Sequence, residues 1–219
     1  GQHGFDGLLP RSKIGVNHAG EGVRVLTSTE QSRAAEGMGS PQWHPIPGSH
    51  SADVYPYLLK PSVFSCNSFL IRTPQSLAVI DPGGLPEQTE ALIGLIRDEL
   101  QAKPRPIHVL LTHCHADHSL EIARGGPWRE LPDLRTIIHA RGADALREAD
   151  REITQAEILG CALPPFTPDI ALFSPPLDPN GAGASCRRET IPLSTRDALE
   201  AYPVPGHSPD AVCYRLGGA

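Results

Sequence analysis

A buried strand that runs directly into a metal-ligand motif occupies residues 107–118, which read IHVLLTHCHADH. The apolar residues 107–111 predict a short strand that is covered on both faces. Three histidines and one aspartate follow at residues 113–118, and imidazole nitrogen and carboxylate oxygen are ordinary ligands of zinc and iron. Because α/β sheets usually bind ligands at the carboxyl ends of their strands, we expect a catalytic metal centre at this position.

The order of the residues within the motif predicts two sets of ligands. His113 and His115 are two positions apart, so their side chains point to the same side of an extended backbone. Cys114 lies between them and is expected to point away, packing inward as a small apolar side chain. Asp117 and His118 are adjacent and share that direction only if the chain turns. We therefore expect two ligand sets that face two neighbouring metal positions.

A further histidine follows another apolar strand near the end of the chain, where residues 204–210 read VPGHSPD. Pro205 and Gly206 predict a tight loop that leaves His207 exposed at the end of that strand. A lone histidine in such a loop is usually structural. Together with the first motif and a matching strand end, however, His207 is expected to be the third imidazole ligand.

The rest of the apolar pattern indicates a mixed α/β fold. Hairpin-like strands come first, strands and helices alternate in the middle, and further strands close the chain, an order that is typical of packed layers. Residues 164–183 are rich in proline and are predicted as a loop. The predicted strands cover residues 54–59, 62–72, 76–80, 106–111, 134–139, 188–193, 199–204 and 211–216, and the predicted helices include residues 86–102, 121–124 and 143–149.

The ends of the chain differ from its middle. Residues 1–50 are rich in Gly, Ser and Pro and contain one short strand-like run at residues 23–26, so we predict an irregular N-terminal extension or linker. The folded domain is predicted over residues 51–219. The chain starts at Gly1 instead of Met and stops at Ala219 shortly inside an apolar segment, so we expect a piece of a longer protein.

Composition narrows the classes of partner. A net charge of −6 gives no basic surface for nucleic acid, and no apolar run approaches the roughly 18 residues that span a bilayer. The five cysteines form no CxxC pair, which favours a reducing compartment, and we expect a cytoplasmic protein. The expected partner is a small-molecule substrate, without nucleic acid or membrane. The pattern does not predict the oligomeric state.

Four segments together carry a resemblance to a known family. They are Asn67-Ser68-Phe69-Leu70-Ile71, Ala78-Val79-Ile80-Asp81-Pro82-Gly83, Thr112 through His118, and Pro205-Gly206-His207-Ser208-Pro209. In this order, over residues 53–219, the chain resembles the metallo-β-lactamase-fold superfamily. The resemblance implies an αββα sandwich with a metal site along one edge of its two sheets. It assigns His113, His115 and His207 to a first metal ion, Asp117 and His118 to a second, and to Asp81 the ordering of the metal loop.

The resemblance also implies a reaction. It indicates a metal-dependent hydrolase that attacks an ester, thioester, lactone or amide through a metal-bound hydroxide, with one or two zinc ions as cofactor and iron as the alternative. Asp117 is expected to orient the nucleophile and to help proton transfer. The proline-rich loop at residues 164–183 is the candidate wall of the substrate pocket.

The chain departs from the family after the third histidine. Family members continue to an aspartate that bridges the two metals and then to a final histidine, whereas Ser208 to Ala219 offer only Asp210. Asp210 is too close to His207 in sequence to act as that bridge. We therefore expect an incomplete second metal site and a domain that lacks part of its C-terminal half.

Two other functions stay open at this point. Persulfide dioxygenases share the fold and bind one iron through two histidines, here His113 and His207, and a downstream aspartate. A non-catalytic metal-binding module would take up metal without turnover. Nuclease and β-lactam substrates are less favoured, because the chain is acidic and nothing in it selects a β-lactam.

Overall fold

Seven strands in chain order form the larger sheet of the protein. The computed structural model describes residues 42–59, 64–174 and 187–217, and the strand-like run predicted at residues 23–26 lies outside them. Strands β1 to β4 are antiparallel, whereas β4 to β7 run parallel to one another. The strands are His44–Pro45 (β1), Asp53–Tyr57 (β2), Ser68–Arg72 (β3), Leu77–Ile80 (β4), Ile107–Leu110 (β5), Leu134–His139 (β6) and Ile170–Leu172 (β7).

A second, antiparallel sheet and three α-helices complete the described structure. The smaller sheet has the order β10-β9-β8. Its strands are Glu189–Pro192 (β8), Ala198–Pro203 (β9) and Val212–Leu216 (β10). The helices are Pro86–Ala102 (α1), Ala116–Arg124 (α2) and Ala140–Glu148 (α3), with a 3-10 helix at Gly126–Glu130. None of the helices in the described ranges is long and apolar enough to cross a membrane.

Alternate side chains of the larger sheet build two separate cores. Leu70, Val79 and Val109 pack with the helices on one face. Ile71 and Leu110 pack on the other face with apolar residues of the smaller sheet. Burial on both faces explains why the central strands are continuous apolar runs. The mixed α/β fold is confirmed, and the described residues form three layers in the order helices, larger sheet, smaller sheet.

Most predicted elements lie where the pattern placed them. Helix α1 has the predicted bounds, with Pro86 in its first turn and Leu92 and Ile96 buried. Helix α2 begins earlier than predicted, directly after His115. In the described part of the predicted strand at 62–72, residues 64–72, the strand begins at Ser68.

Two short strands were missed. Strand β7 lies inside the predicted loop at 164–183; two of its three side chains are exposed, so it shows no apolar run. Strand β1 lies inside the predicted N-terminal extension, where His44 pairs with Val54 and Pro45 with Asp53. Both side chains of β1 are exposed, and such a strand has no periodicity to recognise. This part of the extension therefore belongs to the larger sheet.

Candidate metal centre

Three imidazoles converge at the carboxyl end of the parallel strands. His113 and His115 follow β5 directly, and their ring centroids are 4.4 Å apart. His207, from the loop between β9 and β10, lies 4.9 Å from the ring of His113 and 4.8 Å from that of His115. One nitrogen of each ring lies within 4.8 Å of the others, and no other residue of the described chain joins this group. We call His113, His115 and His207 the histidine cluster.

Contacts between the two sheets bring His207 to the other two rings. The amide of Val212 at the start of β10 donates to the carbonyl of Thr112 at 2.8 Å. The hydroxyl of Tyr214 donates to the carbonyl of Leu111 at 2.9 Å. Because these bonds join β10 to the chain just before His113, the loop that precedes β10 must lie over the cluster.

The two predicted ligand sets lie on either side of the change from extended chain to helix at His115. His115 has extended backbone angles, φ −57° and ψ 145°, and α2 begins at the next residue. The amide of Ala116 donates to the carbonyl of Thr154 at 2.8 Å, which fixes the first turn. Asp117 and His118 are therefore helical, and the ring of His118 lies next to the cluster, with its centroid 4.2 Å from that of His113.

A hydrogen-bond chain fixes the tautomer of His113. The Asp81 carboxylate accepts hydrogen bonds from the Thr112 amide and from the Thr112 hydroxyl, both at 2.8 Å. The hydroxyl has a single proton, so toward His113 Nδ1, at 3.0 Å, it can only accept. His113 therefore carries its proton on Nδ1 and presents the lone pair of Nε2, as metal-binding histidines do.

The electrostatics of the cluster suit a cation. His113 Nε2 is buried and has no hydrogen-bond partner among the described residues. Burial, followed by the charges of His118, His115 and His207, lowers the pKa of His113 to about 3. Burial and the neighbouring His207 also lower the pKa of His115. Metal binding requires neutral imidazoles, so this donor set fits an ion such as zinc.

His118 is in a different state. Its Nδ1 lies 3.0 Å from Asp81 Oδ2, and its Nε2 lies 3.6 Å from Asp117 Oδ2. The first contact is an ion pair and not a linear hydrogen bond, because the ring N–H points off the line to the oxygen. Burial lowers the pKa of His118, but Asp81 and the neighbouring Cys66 outweigh it and raise the pKa to about 10. The Asp81 carboxylate thus favours the protonated ring of His118, which would have to lose a proton before it could bind a second ion.

The structure gives each remaining predicted residue a position. Asp81 ties the end of β4 to Thr112, in line with the ordering role that the resemblance implies. Cys114 is fully buried, and burial raises its pKa, so it is an apolar thiol in the core. The described part of the loop at 164–183, with Phe166, Thr167 and Asp169, lines a cavity of about 200 Å³ that contains none of the predicted ligands.

Two residues that connect to Asp81 through Ser68, Gln88 and Cys66, were not identified from the sequence. Gln88 of α1 is fully buried, and its amide donates to the hydroxyl of Ser68 at 2.6 Å and to the carbonyl of Cys66 at 3.0 Å. The hydroxyl of Ser68 in turn donates to the carbonyl of Asp81. Neither Cys66 nor Gln88 belongs to a spaced motif, so the sequence carries no signal for them.

Comparisons with known proteins give the family and the fold of the chain. A family model described as the metallo-beta-lactamase superfamily matches residues 61–219. The solved structure of the BLEG-1 B3 metallo-beta-lactamase is similar, at 22% identity and a TM-score of 0.53, over 74% of this chain and 66% of that one. BJP-1, a subclass B3 metallo-beta-lactamase of Bradyrhizobium japonicum, matches at 20% identity and a TM-score of 0.48, over 68% of this chain and 50% of that one. The chain thus spans between half and two thirds of the length of these two structures. No curated protein sequence matches it.

Proposed function

The chain belongs to the metallo-beta-lactamase superfamily, and on that basis we propose that it is a zinc-dependent hydrolase of small molecules. The observation that carries the proposal is the convergence of the histidine cluster, with His113 Nε2 buried and without a partner. A structural histidine would satisfy that nitrogen with a protein group. A buried lone pair beside two further imidazoles instead supports a metal ion as its partner.

Each residue of the site has a task in this proposal. His113, His115 and His207 would hold the ion, and Thr112 keeps His113 in the tautomer that presents Nε2. Zinc held by three imidazoles lowers the pKa of a bound water to about 7 and polarises a carbonyl group. Asp117 has a partly exposed side chain in the first turn of α2, where its carboxylate can orient a water molecule and accept a proton. Asp117 and His118 would contribute to a second ion.

The substrate that we propose is a small ester, thioester, lactone or amide. The net charge of −6 makes a polyanion a poor substrate, since its phosphates need a positive surface. The described cysteines Cys66, Cys114, Cys161 and Cys213 are free, which supports a cytoplasmic location.

The test combines metal uptake with turnover. We expect the chelator-treated protein to bind zinc and, when loaded, to hydrolyse at least one member of a panel of thioesters, lactones, esters and amides. His115→Ala removes one donor and should lower both zinc uptake and turnover. His44→Ala removes an exposed histidine of β1 and should change neither.

Each other outcome overturns the proposal in a distinct way. Equal uptake and rates in the protein and in His115→Ala would exclude the histidine cluster as the centre. Zinc uptake without turnover of any panel member would identify a binding module. Iron retained after anaerobic purification, with oxygen uptake on a persulfide substrate, would identify a dioxygenase.

A further inference from the structure

Asp210 is a buried carboxylate with an unsatisfied oxygen close to the histidine cluster. It lies in the loop between His207 and β10 and is fully buried. Its Oδ1 accepts a hydrogen bond from the hydroxyl of Ser208, which is also buried. Its Oδ2 has no hydrogen-bond partner among the described residues. Burying a carboxylate oxygen without a partner is unfavourable, so such a group calls for an explanation.

The carboxylate contacts the first turn of α3. A methyl group added to Gly142 would overlap Asp210 Oδ2, so an alanine here would force the carboxylate to move. Gly142 is in the first turn of this nine-residue helix, where backbone amides leave a partial positive charge. A carboxylate at this end is favoured, and this interaction offsets part of the cost of burying it.

The loop of Asp210 is also tied to the segment that carries the other two imidazoles. The amide of Val212, two residues after Asp210, donates to the carbonyl of Thr112 at 2.8 Å, and Thr112 directly precedes His113. Asp210 therefore lies between His207 and the start of α3, in a loop whose far end is fixed beside His113.

We propose that Asp210 is the positioning residue of the histidine cluster. Through Ser208 it anchors the loop that carries His207, and by packing against Gly142 it sets the distance from His207 to His113 and His115. Asp210 is not one of the converging donors. The inference concerns the same metal centre and rests on the proposed function for its zinc readout, but the position of His207 in the metal-free protein tests it separately.

Three substitutions perturb this contact. Asp210→Ala removes the carboxylate, and Asp210→Asn keeps an oxygen that can accept from Ser208. Gly142→Ala inserts a methyl group against Oδ2 without touching a ligand residue.

Two variants serve as matched controls. Asp197→Asn alters another buried carboxylate, which binds the amide of His50 and the hydroxyl of Ser51 at the other end of β9. Gly94→Ala adds a methyl group to a helical glycine with nothing within 4 Å of the new atom.

The first readout is zinc affinity, measured by competition with a chromophoric chelator on protein shown to be folded by circular dichroism. We expect Asp210→Ala and Gly142→Ala to weaken zinc binding about 10- to 100-fold, as loss of an outer support of metal ligands does. Asp210→Asn should lose less zinc affinity than Asp210→Ala, because its amide oxygen can still accept from Ser208. Asp197→Asn and Gly94→Ala should bind like the unaltered protein.

The second readout needs no metal. In the metal-free protein the rings of His115 and His207, 4.8 Å apart, should give a nuclear Overhauser effect between their ring protons. We expect Asp210→Ala and Gly142→Ala to lose this signal and both controls to keep it. In the Asp210→Ala background, Gly142→Ala should cause no further loss of zinc affinity, because the overlap with the carboxylate is gone and the remaining close atom, Ile138 Cδ1 at 2.7 Å, is the end of a flexible side chain.

The outcomes separate the two proposals. Wild-type zinc affinity and a retained ring-to-ring signal in Asp210→Ala and Gly142→Ala would overturn the role of Asp210. An equal loss in Asp197→Asn would overturn it as well, since the effect would then be general destabilisation. If the unaltered protein binds no zinc, the proposed function fails, and the ring-to-ring signal alone decides the role of Asp210.

Discussion

At the scale of single residues, the orientation of the imidazoles in the histidine cluster depends on the polar groups around them. The spacing of His113 and His115 predicts a shared direction, and the structure places their rings together. The tautomer of His113 depends on Thr112 and Asp81, which come from two different strand ends. Asp210 stands beside His207 in the sequence, yet its burial against α3 is a property of the fold alone. No spacing rule relates such residues, because their contact is made only by tertiary packing.

The hydroxyl of Thr112 gives the first prediction. Thr112→Val removes the acceptor for His113 Nδ1–H at nearly constant shape, so the ring loses its orientation and its fixed tautomer. We expect zinc affinity to fall about 10- to 100-fold. Thr112→Ser keeps the hydroxyl and should retain most of the affinity. The measurement is chelator competition.

The chain offers a matched control for this prediction. The amide and hydroxyl of Thr136 bind Asp169 Oδ2 at 2.7 and 2.8 Å, the same pairing of residue types at another strand of the sheet. Thr136→Val should cost stability and leave zinc affinity unchanged. Zinc binding by Thr112→Val at the wild-type affinity would contradict the assigned role of the Thr112 hydroxyl.

At the scale of elements, the apolar pattern of the sequence correctly predicted long or fully buried segments. It missed the short strands at the two edges of the larger sheet. Helix α1 has both a proline in its first turn and apolar residues at helical spacing, and its bounds are as predicted. Strands β1 and β7 have two and three residues with mostly exposed side chains. Backbone hydrogen bonds to neighbouring strands hold them in the sheet. Such bonds do not require an alternation of apolar and polar residues, so the sequence shows no strand pattern there.

The turn between β8 and β9 gives a prediction at this scale. Asp197 is buried in that turn and accepts hydrogen bonds from the amide of His50, the hydroxyl of Ser51 and the hydroxyl of Ser194. It thereby joins the smaller sheet to the loop before β2. Burial raises the pKa of Asp197, but the hydrogen bonds outweigh it and keep the pKa below its usual value. Asp197→Asn should lower the free energy of unfolding by about 1–3 kcal/mol at pH 7.

The Asp197 carboxylate also makes the loss of unfolding free energy in Asp197→Asn depend on pH. Because the folded pKa of Asp197 is lowered, its stabilising effect is present above the unfolded pKa of about 3.9 and is lost as the pH falls through the folded value. The difference in unfolding free energy between the protein and Asp197→Asn should therefore shrink as the pH is lowered below about 4. Urea unfolding in steps from pH 7 to pH 3 measures it. A difference that stays constant over this range would contradict the assignment.

At the scale of the whole molecule, the sequence predicted the layered fold. It did not predict how the two sheets pack against each other. Continuous apolar strands predicted a sheet covered on both faces, and the two cores confirm it. The joining of β10 to the end of β5 depends on how the sheets pack, which follows from their summed side-chain volumes and twist. That packing gives the histidine cluster its third ring, so the convergence of the three imidazoles depends on both sheets and not on one motif.

The most direct test of the account is X-ray absorption spectroscopy at the zinc edge of the zinc-loaded protein. The histidine cluster predicts nitrogen or oxygen neighbours at about 2.0–2.1 Å with the outer-shell scattering of imidazoles. His207→Ala should reduce the imidazole scattering, and His44→Ala should leave the spectrum as it is. A sulfur neighbour at about 2.3 Å, or an unchanged imidazole signal in His207→Ala, would contradict the assignment of His113, His115 and His207 as the metal centre.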